Sequence, residues 1–225
     1  MQVNFFDLSR ISSDERDRLC RRTGVELRDL IAKVAPIVDE VRKRGDGAVR
    51  EFTKQFDGAD MAPATFRVPR AELDRAVSEL PEALREAIEV SISNIRKFHE
   101  KQVDHSWEIE ISPGIVAGEK VVPIASVGLY VPRGKGSFPS MMMMAGVPAK
   151  VAGVERVVVV TPPDRQGTPD PATIAAARLI GLNEIYAVGG VQAVAALAFG
   201  TESIPRVDKI VGPGSGYVLA AKQIL

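Results

Sequence analysis

Val154-Glu155-Arg156-Val157-Val158-Val159-Val160-Thr161 is the stretch whose reading decides the fold. Four consecutive valines leave no polar face for water, so the run reads as a strand buried on both sides. Such strands belong to parallel sheets covered by helices, and the flanking sequence supplies the helices. Short apolar runs at 125–131, 184–188 and 207–211 alternate with helical runs at 140–152, 172–180, 191–199 and 217–225. Strand and helix alternating in this way define an α/β fold, a Rossmann-like doubly wound parallel sheet.

The sequence before this alternation has a different character. Up to residue 125 there are 20 Lys and Arg against 23 Asp and Glu, and beyond it only 9 against 6. We place a domain boundary there: 1–125 is a mainly helical region with a β-hairpin, and 126–225 is the nucleotide-type domain. Ser12-x-x-Glu15 is a capping box for a helix running to about Arg22. Leu27, Leu30, Ile31, Val34, Val38 and Val41 keep helical spacing, with Pro36 either kinking the helix or opening a second one. Gly45 stops it after Arg42, Lys43 and Arg44, whose charge suits a helix C-terminus. Helices follow at about 46–56, 70–80 and 82–102. The last has Leu84, Ile88, Ile92, Ile95 and His99 along one face. Residues 107–123 read as a hairpin turning at Pro113-Gly114.

Composition excludes several function classes. The 225 residues are 45% hydrophobic and carry no net charge, which is neither a disordered chain nor one that binds nucleic acid through a bulk basic field. No apolar stretch approaches the ~18 residues of a membrane span, and MQVNFFDLSR has no signal-peptide pattern. The single cysteine, Cys20, excludes an intrachain disulfide framework. Together these readings predict a cytoplasmic protein. Only two histidines, His99 and His105, are present, so a His-rich metal site is excluded. The last residues, Ala220-Ala221-Lys222-Gln223-Ile224-Leu225, lie within a helical run without a cap or polar tail. This predicts that further sequence belongs after Leu225, and hence a sheet incomplete at its C-terminus.

Candidate binding residues collect at the glycine-rich turns that follow the strands, where open α/β sheets bind ligands. These turns are Tyr130-Val131-Pro132-Arg133-Gly134-Lys135-Gly136-Ser137, Gly189-Gly190-Val191-Gln192 and Gly212-Pro213-Gly214-Ser215-Gly216. None is a G-x-G-x-x-G fingerprint or a Walker loop. Glycines admit a ligand close to the backbone, and N–H groups at helix starts suit phosphate. Tyr130 reads either as a ring against a cofactor or as a half-buried tyrosine closing the sheet edge. Gln192 reads either as an amide binding ribose hydroxyls or a carboxamide, or as a helix cap. Arg133 and Lys135 read as solvated loop charges or as partners of a pyrophosphate. Met141–Met144 read as core packing, and His99 as an interface histidine. No catalytic constellation is visible: H-E-x-x-H, C-x-x-C and G-x-S-x-G are all missing.

Several stretches resemble the histidinol dehydrogenase family. They are Val127-Gly128-Leu129-Tyr130-Val131-Pro132, Val147-Pro148-Ala149-Lys150-Val151-Ala152-Gly153-Val154, the run from Val188-Gly189-Gly190-Val191-Gln192 to Gly200-Thr201-Glu202, and Val207-Asp208-Lys209-Ile210-Val211-Gly212-Pro213-Gly214. Arg44-Gly45-Asp46, Phe56-Asp57, Asn94-Ile95 and Phe98-His99 agree as well. The resemblance implies an NAD-dependent dehydrogenase that oxidises L-histidinol to L-histidine in histidine biosynthesis, as a homodimer with zinc. By motif it implies that Tyr130 and Gln192 bind NAD. Ser215 stands where the family commonly has Asn, a shorter side chain with one donor fewer. The Arg133-Gly134-Lys135 loop also departs from the family's more usual pattern. The family's zinc ligands, substrate contacts and catalytic residues correspond to sequence beyond Leu225, so no catalytic or metal residue is expected in this chain, and the chain alone is expected to be inactive. Two alternatives stand beside this reading: a related dehydrogenase for another small hydroxy compound, and a short homologue that binds a nucleotide without catalysis.

Overall fold

A computed structural model of the chain describes residues 5–20, 27–133 and 136–225. Helix α1 (Ser13–Cys20) opens on the anticipated cap, with the Glu15 N–H donating to Ser12 Oγ at 3.2 Å; its expected end near Arg22 lies outside the described residues. Helix α2 (Leu27–Arg44) is continuous through Pro36. Pro36 and Ala32 are both exposed, so the carbonyl that loses its donor faces water. Leu30, Val34, Val38 and Val41 stay buried on one face. Tertiary packing of that face outweighs the proline's tendency to break the helix, so Pro36 does not open a second helix.

Helix α3 (Asp46–Asp57) is fixed at its start by the loop near residue 202. Glu202 Oε2 accepts the Asp46 N–H at 2.8 Å. The buried Asp46 carboxylate in turn accepts the Ser203 hydroxyl at 2.5 Å and the Ser203 N–H at 3.3 Å. Gly58 ends the helix immediately after Asp57. A single 3-10 turn (Pro63–Thr65), α4 (Arg70–Ser78) and α5 (Glu82–Glu100) follow. Ile88 and Ile92 of α5 are buried, whereas Leu84 at its start is exposed. The hairpin is present as β1 (Trp107–Ser112) and β2 (Ile115–Glu119), with every residue of both strands exposed.

From Ser126 the chain alternates as expected: β3 (Ser126–Tyr130), α6 (Pro139–Val151), β4 (Arg156–Val160), α7 (Pro171–Ile180), β5 (Ile185–Tyr186), α8 (Gly190–Phe199), β6 (Lys209–Val211) and α9 (Gly216–Ile224). All pairings are parallel, in the order β5-β4-β3-β6. The chain enters at β3, moves outward to β5, and then crosses back to place β6 on the other side of β3. Winding therefore reverses between β3 and β6, which is the switch point at which open α/β sheets bind ligands. Strands β5 and β6 are shorter than the runs at 184–188 and 207–211. The outer edge of β5 is covered by residues 66–68, through Val68 N–H to the Ile185 carbonyl and Ala187 N–H to the Phe66 carbonyl.

Helices α6 and α7 pack together and are backed by α5 and α4. Helices α8 and α9 pack together and are backed by α2 and α3. One buried apolar cluster runs through all these layers, from Leu30 to Ala221. Met142 and Met143 belong to it, as the core reading anticipated, whereas Met144 is exposed. No helix among the described residues is long and apolar enough to cross a membrane.

Candidate functional site

Three segments meet at the carboxyl end of the sheet around the switch point. Tyr130 closes β3 and is only 5% exposed. Its hydroxyl accepts the backbone N–H of Gly190, the first residue of α8, at 3.1 Å. Burial raises the phenol above its ordinary pKa, the Gly190 N–H opposes this, and the negative charge of Asp57 adds to it. The hydroxyl therefore stays protonated at neutral pH and keeps its own proton to donate. Gly190 sits at φ 65°, in the left-handed region that favours glycine. Gly212, after β6, sits at φ 122°, and a Cβ there would overlap the Tyr130 carbonyl oxygen. The two turns are thus pressed onto the same tyrosine from opposite sides of the switch point.

Gln192, in the first turn of α8, is completely buried. It caps nothing, since no side chain caps α8. Its Nε2 instead donates to Asp57 Oδ2 at 3.4 Å, while its Oε1 is buried without a hydrogen-bond partner. That oxygen lies against Gly190, where an added Cβ would fall 2.5 Å from it. Asp57 is half-buried, and loss of water raises its carboxyl to about pKa 6.

Ser215 precedes α9 with an exposed side chain that makes no capping bond. Ser215 and Tyr217 line a cleft of about 540 Å³ together with Gly190, Val191, Lys33 and Phe56. Tyr130 and Gln192 therefore meet at Gly190, and Gly190 shares one cleft with Ser215. The Lys222 ammonium, whose pKa is lowered by burial, donates to the Gly212 carbonyl at 2.6 Å and braces that turn.

Arg133 is neither a solvated loop charge nor directed to this cleft. It donates to the Thr168 carbonyl at 2.7 Å and lies 3.6 Å from Asp164. Lys135 lies outside the described residues. His99 is half-buried on α5, with Nδ1 2.6 Å from Gln102 Oε1, and it borders a separate groove with Val121, Pro123 and Ala152. Among the described residues no three His, Cys, Asp or Glu side chains converge, so the donor set does not fit a zinc ion. Gly190 and Val191 at the start of α8, and Ser215 and Tyr217 at the start of α9, border one cleft, with the unpartnered Gln192 Oε1 buried behind Gly190.

Asp57, which meets Gln192, was not among the candidate residues of the sequence. It is 135 positions from Gln192 and comes from a helix outside the alternating unit. In the sequence it appears in the Phe56-Asp57 pair that agrees with the family, with no role attached to it.

A doubly wound parallel sheet with glycine turns at its switch point defines an open α/β unit, whose ligands bind at that edge. The family model for histidinol dehydrogenase matches residues 20–225. A protein named histidinol dehydrogenase homolog from Rhizobium meliloti is 48% identical over 224 residues, which is 99% of this chain and 49% of that one. Histidinol dehydrogenase of Methanosarcina mazei is 44% identical over 219 residues, covering 97% and 50% respectively. The crystal structure of histidinol dehydrogenase from Elizabethkingia anophelis superposes with a TM-score of 0.86 at 37% identity, over 95% of this chain and 49% of that one. The chain belongs to the histidinol dehydrogenase family, and it spans about half the length of the curated relatives it matches.

Proposed function

We propose that this chain is the NAD-binding half of a dehydrogenase that oxidises L-histidinol to L-histidine, working in the cytoplasm as a homodimer. The observation that carries the reading is the buried, unpartnered Oε1 of Gln192 beside the Gly189–Gly190 turn. A buried acceptor without a donor is costly, and a ribose hydroxyl or carboxamide N–H supplies one. NAD, when bound, supplies the hydride acceptor. The chain's own residues bind and orient it. The amino ends of α8 and α9 face its phosphates, Tyr130 positions the α8 turn and offers a phenolic proton, and Ser215 contributes a short hydroxyl at the cleft.

No zinc ligand and no acid–base pair is assigned to these residues. The chain alone is accordingly expected to bind NAD without forming NADH from histidinol, whether or not zinc is added. Calorimetric titration with NAD tests the binding. Heat that saturates, and that weakens in Tyr130→Ala, supports the reading; a folded chain giving no heat up to millimolar NAD refutes it.

A second reading keeps the dehydrogenase class and changes the small hydroxy substrate. It is favoured by Ser215 at a position where the family commonly has Asn, and by the name "homolog" on the relatives from Rhizobium meliloti and Colwellia psychrerythraea, 48% and 42% identical. Because the chain alone is expected to be inactive, the test uses a full-length reading frame that carries it: expression in a histidine auxotroph lacking histidinol dehydrogenase separates the two. Growth on histidinol supports the first, and soluble expression without growth supports the second.

A further inference from the structure

We propose that Asp57 is a positioning residue of the nucleotide site: its carboxylate turns the Gln192 amide so that the carbonyl, not the NH2 group, meets a donor of the ligand at the Gly189–Gly190 turn. The inference rests on reading this cleft as an NAD site and adds what sets its polarity.

An ionised carboxylate only accepts hydrogen bonds, and an amide has one accepting and one donating end. Facing Asp57 Oδ2 at 3.4 Å, Gln192 must present Nε2. Rotating the amide by half a turn would set Oε1 against a negative oxygen. The acceptor is therefore left pointing to Gly190, a wall of the cleft, where no protein donor reaches it. A ligand hydroxyl or amide N–H that reaches past Gly190 would satisfy this buried acceptor, whereas a ligand carbonyl would not.

The surroundings leave Asp57 free to act in this way. From β3, the Tyr130 phenol faces it. From α8 the polar neighbour is Gln192 itself, and the 3-10 turn carries no charge. On α3, Arg50 and Lys54 are both held by Asp60. Of α2, Arg44 is held by Glu40 and Glu51, and Lys33 lines the cleft beside Phe56. Arg165 lies against the neighbouring Gly58, with its Cγ, Cδ and Nε all within 4 Å of where a Cβ there would sit, but it forms no ion pair with Asp57. Among the described residues no cation forms an ion pair with Asp57, and its carboxyl titrates near pH 6 through burial. Once protonated, Asp57 can donate. Gln192 Oε1 can then turn toward it, and the NH2 group faces the ligand's donor instead.

The test is calorimetric titration of the chain with NAD from pH 5 to 8, for the wild type and for Asp57→Asn. Asparagine can both donate and accept, so this variant imitates the protonated state at every pH. The expected result is that wild-type affinity falls roughly tenfold between pH 7.5 and 5, with its midpoint near 6, as one hydrogen-bond mismatch predicts. Asp57→Asn should bind as weakly at pH 8 as the wild type does at pH 5, with a flat profile. Two outcomes overturn the inference while leaving the NAD site intact: a wild-type affinity that does not change with pH, or a variant whose affinity and profile match the wild type. A folded wild type that binds no NAD at any pH overturns both.

Discussion

The Tyr130 hydroxyl holds the first backbone N–H of α8, at Gly190, from 3.1 Å away across the end of the sheet. One side chain thereby sets both the edge of β3 and the angle at which α8 begins.

Tyr130→Phe keeps the ring and removes that tie. The Gly190 N–H is left without its partner, at a cost of about 1–3 kcal/mol. Urea unfolding should register the loss. NAD titration should show a weaker site, since the α8 turn is no longer fixed.

Gly212→Ala should be more damaging than its size suggests. The residue sits at φ 122°, and its new methyl would overlap the Tyr130 carbonyl oxygen. Backbone strain of about 1–3 kcal/mol adds to displacement of the turn. A drop of about 2 kcal/mol or more in unfolding free energy, with loss of NAD binding, is the expected result.

Ser203→Ala tests the clamp on α3. The buried Asp46 carboxylate loses its hydroxyl donor, which should cost about 1–3 kcal/mol. The companion bond, Glu202 to the Asp46 N–H, holds the Glu202 pKa below its ordinary value. A carboxylate lowered in this way stabilises the fold above its unfolded pKa, and that contribution is lost as pH falls through the folded value. Glu202→Gln should therefore narrow the gap between urea midpoints at neutral pH and at about pH 4.

Asp57→Asn should stabilise the chain while impairing its site. Burial raises the Asp57 pKa to about 6, so the folded state binds the proton more tightly than the unfolded state does. Stability is then lost as pH rises between the unfolded value and about 6. Removing the charge should return about 1–2 kcal/mol at pH 8, less than the full shift implies because the carboxylate keeps partial contact with water. Wild type and variant should unfold alike below about pH 4, a comparison that urea midpoints across pH decide.

The alternating half of the fold was legible because its signals are local. The valine run from Val157 to Val160 lies in β4, and the helical run read at 172–180 is α7. Tyr130, Gln192 and Ser215 were readable as candidates because glycine turns after parallel strands mark one side of a sheet. Three things escaped. Continuity through Pro36 depends on the buried face of α2. The engagement of Arg133 with the Thr168 carbonyl depends on a loop 35 residues away. Asp57 depends on a helix laid over α8, and no spacing rule reaches across so many residues.

The layering of α2 against α8 and α9 has a consequence for how the chain is made. The stripe Leu30–Val34–Val38–Val41 leaves the ribosome on the order of 150 residues before its partners, roughly 10–30 s at ordinary elongation rates. During that interval the apolar stripe has neither α8 nor α9 to cover it. Slowed translation through residues 100–190 should lengthen this window and raise the share of chains bound by chaperones, with no change in the finished fold.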